Sequence, residues 1–199
     1  DLLEHNLPYA HDHEPLAFLQ AIETIRPHVL IGATGAPGTF TREVVERMSA
    51  INERPTIFAL SNPTSRAECT AEQAYTWSAG RAVFTSGSPF APVRFGDREL
   101  RPGQGNNAYV FPGIGLGVIT CVARRIPDAI FLAAARALAA QVGKDDLERG
   151  SLYPPLRRIR RISLAIATAV ATKSFGLGLA RRRRPANLRR SLAAFMYEP

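Results

Sequence analysis

Cysteine is scarce in this chain, long apolar runs are missing, and several common catalytic patterns do not occur. Cys69 and Cys121 are the two cysteines in 199 residues, far apart and outside any C-x-x-C pairing, so neither a disulfide framework nor a thiolate zinc site has support. A reducing compartment follows, by default the cytoplasm. No window approaches the roughly 18 uninterrupted apolar residues that span a bilayer, and Asp1-Leu2-Leu3-Glu4-His5 is not a basic signal-peptide start. A soluble protein with no membrane partner is expected. No histidine follows Thr85-Ser86-Gly87-Ser88 and the order G-x-S-x-G does not occur, which argues against a hydrolase triad. Gly32-x-x-Gly35-x-x-Gly38 is not a G-x-G-x-x-G pyrophosphate turn. The chain opens at Asp1 rather than methionine and enters a helical pattern almost at once, so it is expected to be a piece of something longer.

What is present is a globular composition. With 46% hydrophobic residues the chain can bury one large domain, or one domain with an appendage. The formal charge is +8, and the excess is carried late, by Arg157, Arg158, Arg160, Arg161, Arg181, Arg182, Arg183, Arg184, Arg189 and Arg190. Such a run can bind phosphate backbones or acidic membranes by counterion release. No aromatic residue interleaves with these arginines to stack on bases, so a solvated surface is the plainer reading and nucleic acid is not the expected partner.

Apolar spacing predicts a helix over residues 16–26 (Leu16, Phe18, Leu19, Ile22, Ile25), stopped by Pro27, then a short strand Val29-Leu30-Ile31 running into a glycine-rich turn. Thr41 is placed to cap a helix over 42–50. The scheme repeats with a strand over 56–60, a loop through Asn62, and a helix opened by Thr70 with Gln73 as a capping box. A third strand covers 82–85. Strands alternating with helices at this spacing predict an α/β fold, a partial Rossmann-like parallel sheet covered by helices on both faces. A polar hairpin around Gly96-Asp97 follows, and beyond Pro112 the pattern is a helical C-terminal tail: Asp128 caps a helix through Phe131, Leu132, Ala135 and Leu138, and a longer one carries Ile159, Ile162, Ile166 and Val170 on one face. Four arginines at 157, 158, 160 and 161 crowd its first turns against the macrodipole, which calls for an acidic neighbour. A short helix spans 187–196. The division expected is 1–125 for the sheet domain and 126–199 for the helical region.

The most informative run is Ile57-Phe58-Ala59-Leu60-Ser61-Asn62-Pro63-Thr64, where a strand opens onto an amide held by a proline. Ligands of parallel α/β sheets bind beyond the carboxyl ends of the strands, where Asn62 should sit. A second amide cluster, Gly103-Gln104-Gly105-Asn106-Asn107, follows another strand-like run and could approach the same crevice. Locally, Asn62 reads equally as an Asx-type turn, and paired asparagines after Gly105 are ordinary loop composition. His11-Asp12-His13-Glu14 reads as a polar cap and loop, with no metal assigned. Tyr153 and Trp77 read as packing residues.

These residues, taken with Ser49-Ala50-Ile51-Asn52-Glu53-Arg54-Pro55 before them and Ala67-Glu68-Cys69-Thr70-Ala71-Glu72 after, closely resemble the malic enzyme family. Phe84-Thr85-Ser86-Gly87-Ser88-Pro89-Phe90, the stretch from Pro102 to Asn107 with Phe111-Pro112-Gly113, and Leu152-Tyr153-Pro154-Pro155-Leu156 resemble later landmarks in the same order. Pro8-Tyr9-Ala10-His11 and Met196-Tyr197 fit at the two ends. The resemblance covers nearly the whole chain.

It implies oxidative decarboxylation of (S)-malate to pyruvate and carbon dioxide, hydride transfer to NAD or NADP, and assistance by Mn or Mg acting as a Lewis acid. It places malate binding on Asn62, Asn106 and Asn107, and coenzyme binding on Gly32, Ala33, Thr34, Gly35, Asn62 and Asn107. The family's catalytic tyrosine and lysine, its acidic metal ligands and its pyrophosphate turn belong upstream of the region matched. The resemblance therefore implies no catalytic residue and no metal ligand in this chain, no turnover by residues 1–199 alone, and a need for the missing N-terminal half. It also implies a homo-oligomer, dimer or tetramer. The alternative is a non-catalytic remnant whose arginines bind nucleic acid or an acidic protein. The departures from the family pattern are the run 181–184 and Arg160-Arg161.

Overall fold

The computed structural model describes residues 3–10, 12 and 14–197. Three strand-helix units build its first half. Helix α1 (Phe18–Ile25) starts two residues later than the apolar spacing suggests, leaving Leu16 exposed, and ends where Arg26 turns left-handed at φ 52° before Pro27. Strand β1 (Val29–Gly32) leads through the glycine turn to α2 (Arg42–Ile51), whose first N–H groups are met by the Thr41 hydroxyl accepting from Val44 N. After β2 (Thr56–Ala59), helix α3 (Ala71–Trp77) opens on the expected capping box: Thr70 Oγ1 accepts from Gln73 N at 3.1 Å, and Gln73 Oε1 from Thr70 N at 2.9 Å. Strand β3 (Val83–Ser86) follows.

The strands pair in parallel in the order β1-β2-β3-β6, with Leu30 opposite Ile57 and Ile57 opposite Phe84. Strand β6 is Gly103–Gln104, set beside β3. Two residues with a glycine carry no periodic signal, so the sequence placed this segment only as a loop after a strand-like run. That run is β5 (Arg98–Leu100), which pairs antiparallel with β4 (Val93–Phe95) as the hairpin predicted around Gly96. Ile22, Val45, Met48, Ile57, Tyr75 and Phe84 fill the core between sheet and helices, with Trp77 packed against it. Coverage is uneven. All four residues of β3 are buried, whereas Val29 and Ile31 of β1 are 46% and 61% exposed, so one face of β1 is bare among the described residues.

The second half is helical. A short 3-10 turn (Asn107–Tyr109) leads into α4 (Phe111–Cys121), followed by α5 (Asp128–Ala139), α6 (Lys144–Glu148), α7 (Ile159–Gly176) and α8 (Leu188–Phe195). Helices α4 and α5, on either side of the division expected at 125/126, both pack on α7. Contact between α4 and α7 is close because Gly113 and Gly117 lack side chains: a Cβ on Gly117 would stand 2.8 Å from the Ala167 carbonyl oxygen. As predicted, Ile162, Ile166 and Val170 are buried, and Ile159 packs against them. Two details of α5 differ. Pro127 occupies its N-cap position without a side-chain bond, so Asp128 is an acid in the first turn, favourable to the dipole but not a cap. Its buried face is Ile130 and Ala134, while Phe131 and Leu132 are exposed, because the stripe one residue earlier is the one turned to α7. The acidic neighbour expected for the arginines is Asp146, 3.9 Å from Arg158, and Arg160 donates to the Tyr197 carbonyl at 2.6 Å. Arg157 and Arg158 lie in a 3-10 turn ahead of α7 and so escape part of its dipole. No helix among the described residues is long and apolar enough to cross a membrane.

Candidate functional site

Parallel pairing sends the carboxyl ends of all four strands to one edge, and there the loops that the sequence singled out converge. The ladder continues past each strand: Leu60 N donates to Gly32 O, Gly87 N to Ala59 O, and Gly105 N to Ser86 O. The turn after β1, the Asn62 loop after β2, the Gly87-Ser88 loop after β3 and the Asn106-Asn107 segment after β6 therefore share this edge.

Asn62 is exposed, and its peptide bond to Pro63 is cis. Its Oδ1 accepts from the Ser88 hydroxyl, while Nδ2 has a long bond of 3.4 Å to the Leu60 carbonyl. Each half of the amide thus makes one bond, which leaves one N–H and one lone pair on the exposed side chain. Gly87 makes this approach possible: a Cβ there would fall 2.3 Å from Leu60 O and 2.7 Å from Asn62 Nδ2. The Asn106 Oδ1 accepts from Ala108 N at 2.9 Å in an Asx-type turn that starts the 107–109 helix. Asn107 is exposed beside it.

In the turn after β1, Ala33 and Thr34 are exposed and Gly35 adopts φ 67°, with nothing near a Cβ added there. This is an open backbone surface. Gly32 has another role. It is buried, and the space of its side chain is filled by Glu68 and Phe40.

Glu68 is what sequence reasoning missed. It is fully buried, without a basic partner among the described residues, yet satisfied: Thr34 N donates to its Oε1 at 2.9 Å, Thr34 Oγ1 at 3.0 Å, and the Ser61 hydroxyl makes a short bond to the same oxygen. Burial works to raise its pKa, but the donors from Ser61 and Thr34 outweigh it and hold the carboxyl below its ordinary range. A lone acid between Ala67 and Cys69 in a loop reads as solvated; only the fold brings three donors to it. Next to it, burial first and then the Glu68 charge push the Cys69 thiol up to about 12.

Other readings are resolved by position. Ser86 is buried and donates to Ser88 O at 2.7 Å, so it is no exposed nucleophile. Tyr153 packs on Tyr109 with ring centroids 5.4 Å apart. A polar pocket of about 400 Å³ adjoins β6, lined by Gln104, Tyr109, Tyr153, Arg101 and Arg149, and none of the predicted site residues lines it. The arginines 181–184 lie in an exposed loop. His11 and His13 are outside the described residues. Among the described residues no group of three or more histidine, cysteine or acidic side chains gathers to hold a metal ion.

Against known proteins, residues 1–175 match a family profile described as "Malic enzyme, NAD binding domain". An NADP-dependent malic enzyme of Phaseolus vulgaris is 54% identical over 194 residues, covering 96% of this chain and 33% of the relative. A chloroplastic NADP-dependent malic enzyme of Flaveria pringlei is 55% identical, covering 100% of this chain and 31% of its own. Among solved structures, the malic enzyme of Pyrococcus horikoshii Ot3 superposes with a TM-score of 0.62 at 28% identity over 84% of this chain and 34% of its own. The Entamoeba histolytica malic enzyme gives 0.65 at 28% identity, over 84% and 30%. The chain spans about a third of the length of the curated relatives it matches.

Proposed function

This chain belongs to the malic enzyme family, carrying its NAD-binding domain, and we propose that it is the C-terminal coenzyme-binding portion of an enzyme that oxidatively decarboxylates (S)-malate to pyruvate and carbon dioxide with reduction of NADP. The observation that carries the reading is the convergence of the glycine turn and the Asn62 loop at one sheet edge, joined where Gly35 N donates to Ser61 Oγ at 2.8 Å. NADP is chosen over NAD because the relatives at 54% and 55% identity are named NADP-dependent.

In this reading the backbone of residues 32–35 passes under the nicotinamide and its ribose, and the amides of Asn62, Asn106 and Asn107 orient malate. Neutral amides donate to a carboxylate without adding charge beside the hydride donor. When bound, the coenzyme accepts the hydride; the proton-transferring groups and the ligands of Mn or Mg are supplied by residues outside this chain. The chain alone then has no turnover. The complete protein is a homo-oligomer, and with both cysteines free and buried it suits a reducing compartment such as the cytoplasm.

The test is an assay of the full-length protein with malate, Mn and either NADP or NAD, following reduced coenzyme and pyruvate together. Equimolar formation of both products, faster with NADP, is expected. Asn62→Ala should lower kcat/KM for malate by about 100-fold, the scale of losing a group that orients the reacting atoms. Coenzyme reduction without pyruvate, or none with either coenzyme, would refute the proposal.

A further inference from the structure

Glu68 makes no hydrogen bond to the exposed amides, yet the N–H groups of the glycine turn are braced by it, directly or through one hydroxyl. Its Oε1 accepts from Thr34 N and Thr34 Oγ1, and from the Ser61 hydroxyl. Because Ser61 spends its proton on the carboxylate, its lone pair is left for Gly35 N at 2.8 Å. Thr34 does the same one step along, its Oγ1 donating to Glu68 and accepting from Ala36 N at 3.2 Å. Three consecutive backbone N–H groups, at residues 34, 35 and 36, are thus fixed directly or through one hydroxyl by a single buried carboxylate. The other oxygen faces Ser61 N at 3.4 Å, and the Glu68 carbonyl accepts from Phe40 N at 3.1 Å, closing the far end of the turn.

The chain gives up a side chain to admit this group. A Cβ at Gly32 would lie 2.6 Å from Glu68 Cγ and 2.7 Å from its Cδ. A structural acid with no basic partner is a costly thing to bury, and apolar packing would serve the core as well. What only an ionised carboxylate offers is an acceptor for several donors at once, which fixes the direction of both hydroxyl protons.

We propose that Glu68 is a positioning residue that holds the coenzyme-facing turn in register with the Asn62 loop, acting on the coenzyme through Ser61 and Thr34 rather than by contact; this rests on the reading of that turn as coenzyme-facing. Ser61 immediately precedes Asn62, so the carboxylate ties the coenzyme turn to the residue that orients malate. Glutamine at this position replaces an acceptor oxygen with an N–H₂ that opposes one of the converging N–H or O–H groups.

The experiment uses the full-length protein and direct NADPH binding, read by coenzyme fluorescence, so that affinity is measured without turnover. Wild type, Glu68→Gln, Ser61→Ala and the double variant are compared, with melting curves to confirm folding. Glu68→Gln should weaken NADPH binding about tenfold, the scale of losing a hydrogen bond to a charged group. Ser61→Ala should weaken it severalfold, and the double variant should bind no worse than Glu68→Gln, since both changes cut one path. A purely structural role would lower the melting temperature and leave the affinity of the folded protein alone. Folded Glu68→Gln binding NADPH within twofold of wild type overturns the inference. If Glu68→Gln does not fold, Ser61→Ala decides by the same threshold. Wild type that binds no NADPH removes the coenzyme reading itself, and this inference with it.

Discussion

Cys69 shows how far a neighbour can set a residue's chemistry. Its thiol is buried against an ionised carboxylate, and both effects disfavour the thiolate, taking its pKa from 9.0 to about 12. At neutral pH it should resist iodoacetamide in the native protein and react once the protein is unfolded, as peptide mapping by mass spectrometry would register. The same shift has a sign for stability. The folded pKa lies above the unfolded one, so the contribution is complete below pH 9.0 and is lost as pH rises toward about 12. Cys69→Ser should therefore flatten part of the alkaline limb of the pH–stability curve; rapid native labelling of Cys69 would contradict the whole account. None of this is visible in Ala67-Glu68-Cys69-Thr70 as a string. Asn62 could be read from the sequence because strand, amide and proline are contiguous there. Glu68 could not, because Thr34 is brought to it from the turn after β1 and Ser61 from the far end of its own loop, across the turn at Thr64–Arg66.

Elements were legible wherever a local rule acts alone. The Thr41 cap, the Thr70 capping box and the buried stripe of α7 depend on residues within a few positions of one another, and each stands where spacing put it. The failures share a cause. Strand β6 exists because β3 offers it an edge, and the buried face of α5 was chosen by α7, two influences that no short window contains. Helix packing supplies the prediction at this scale. At Gly117 of α4 an added Cβ would stand 2.8 Å from a backbone oxygen of α7, which cannot swing away as a side chain tip could. Gly117→Ala would gain helix propensity of about 1 kcal/mol in isolation, but overpacking costs about 1–3 kcal/mol, so a net loss is expected. Gly115, two residues back on the other side of α4 with open space at its Cβ, is the control: Gly115→Ala should stabilise. Thermal melts of the two variants moving in opposite directions would support this packing, and parallel shifts would sink it.

At the scale of the molecule, the sheet is finished on one side and raw on the other. Strand β3 is buried on both faces, whereas β1 has one neighbour, β2, and shows Val29 and Ile31 on a face that no described residue covers. Ile25 at the end of α1 is 70% exposed close by in the chain. An apolar edge strand with free backbone groups is a template for pairing with another chain. The relatives are about three times as long as this chain, and if the full-length protein proposed above matches them, further sequence is available to cover this face of β1. Two opposite outcomes follow from one substitution. In the isolated 199-residue chain, Ile31→Lys should reduce self-association, measured by sedimentation velocity, because a charge on the bare face opposes stacking of copies. In the full-length protein the same lysine would be forced into an apolar interface without a partner, and the melting temperature should fall. If Ile31→Lys leaves the full-length protein as stable as wild type, no further sequence packs on this face of β1.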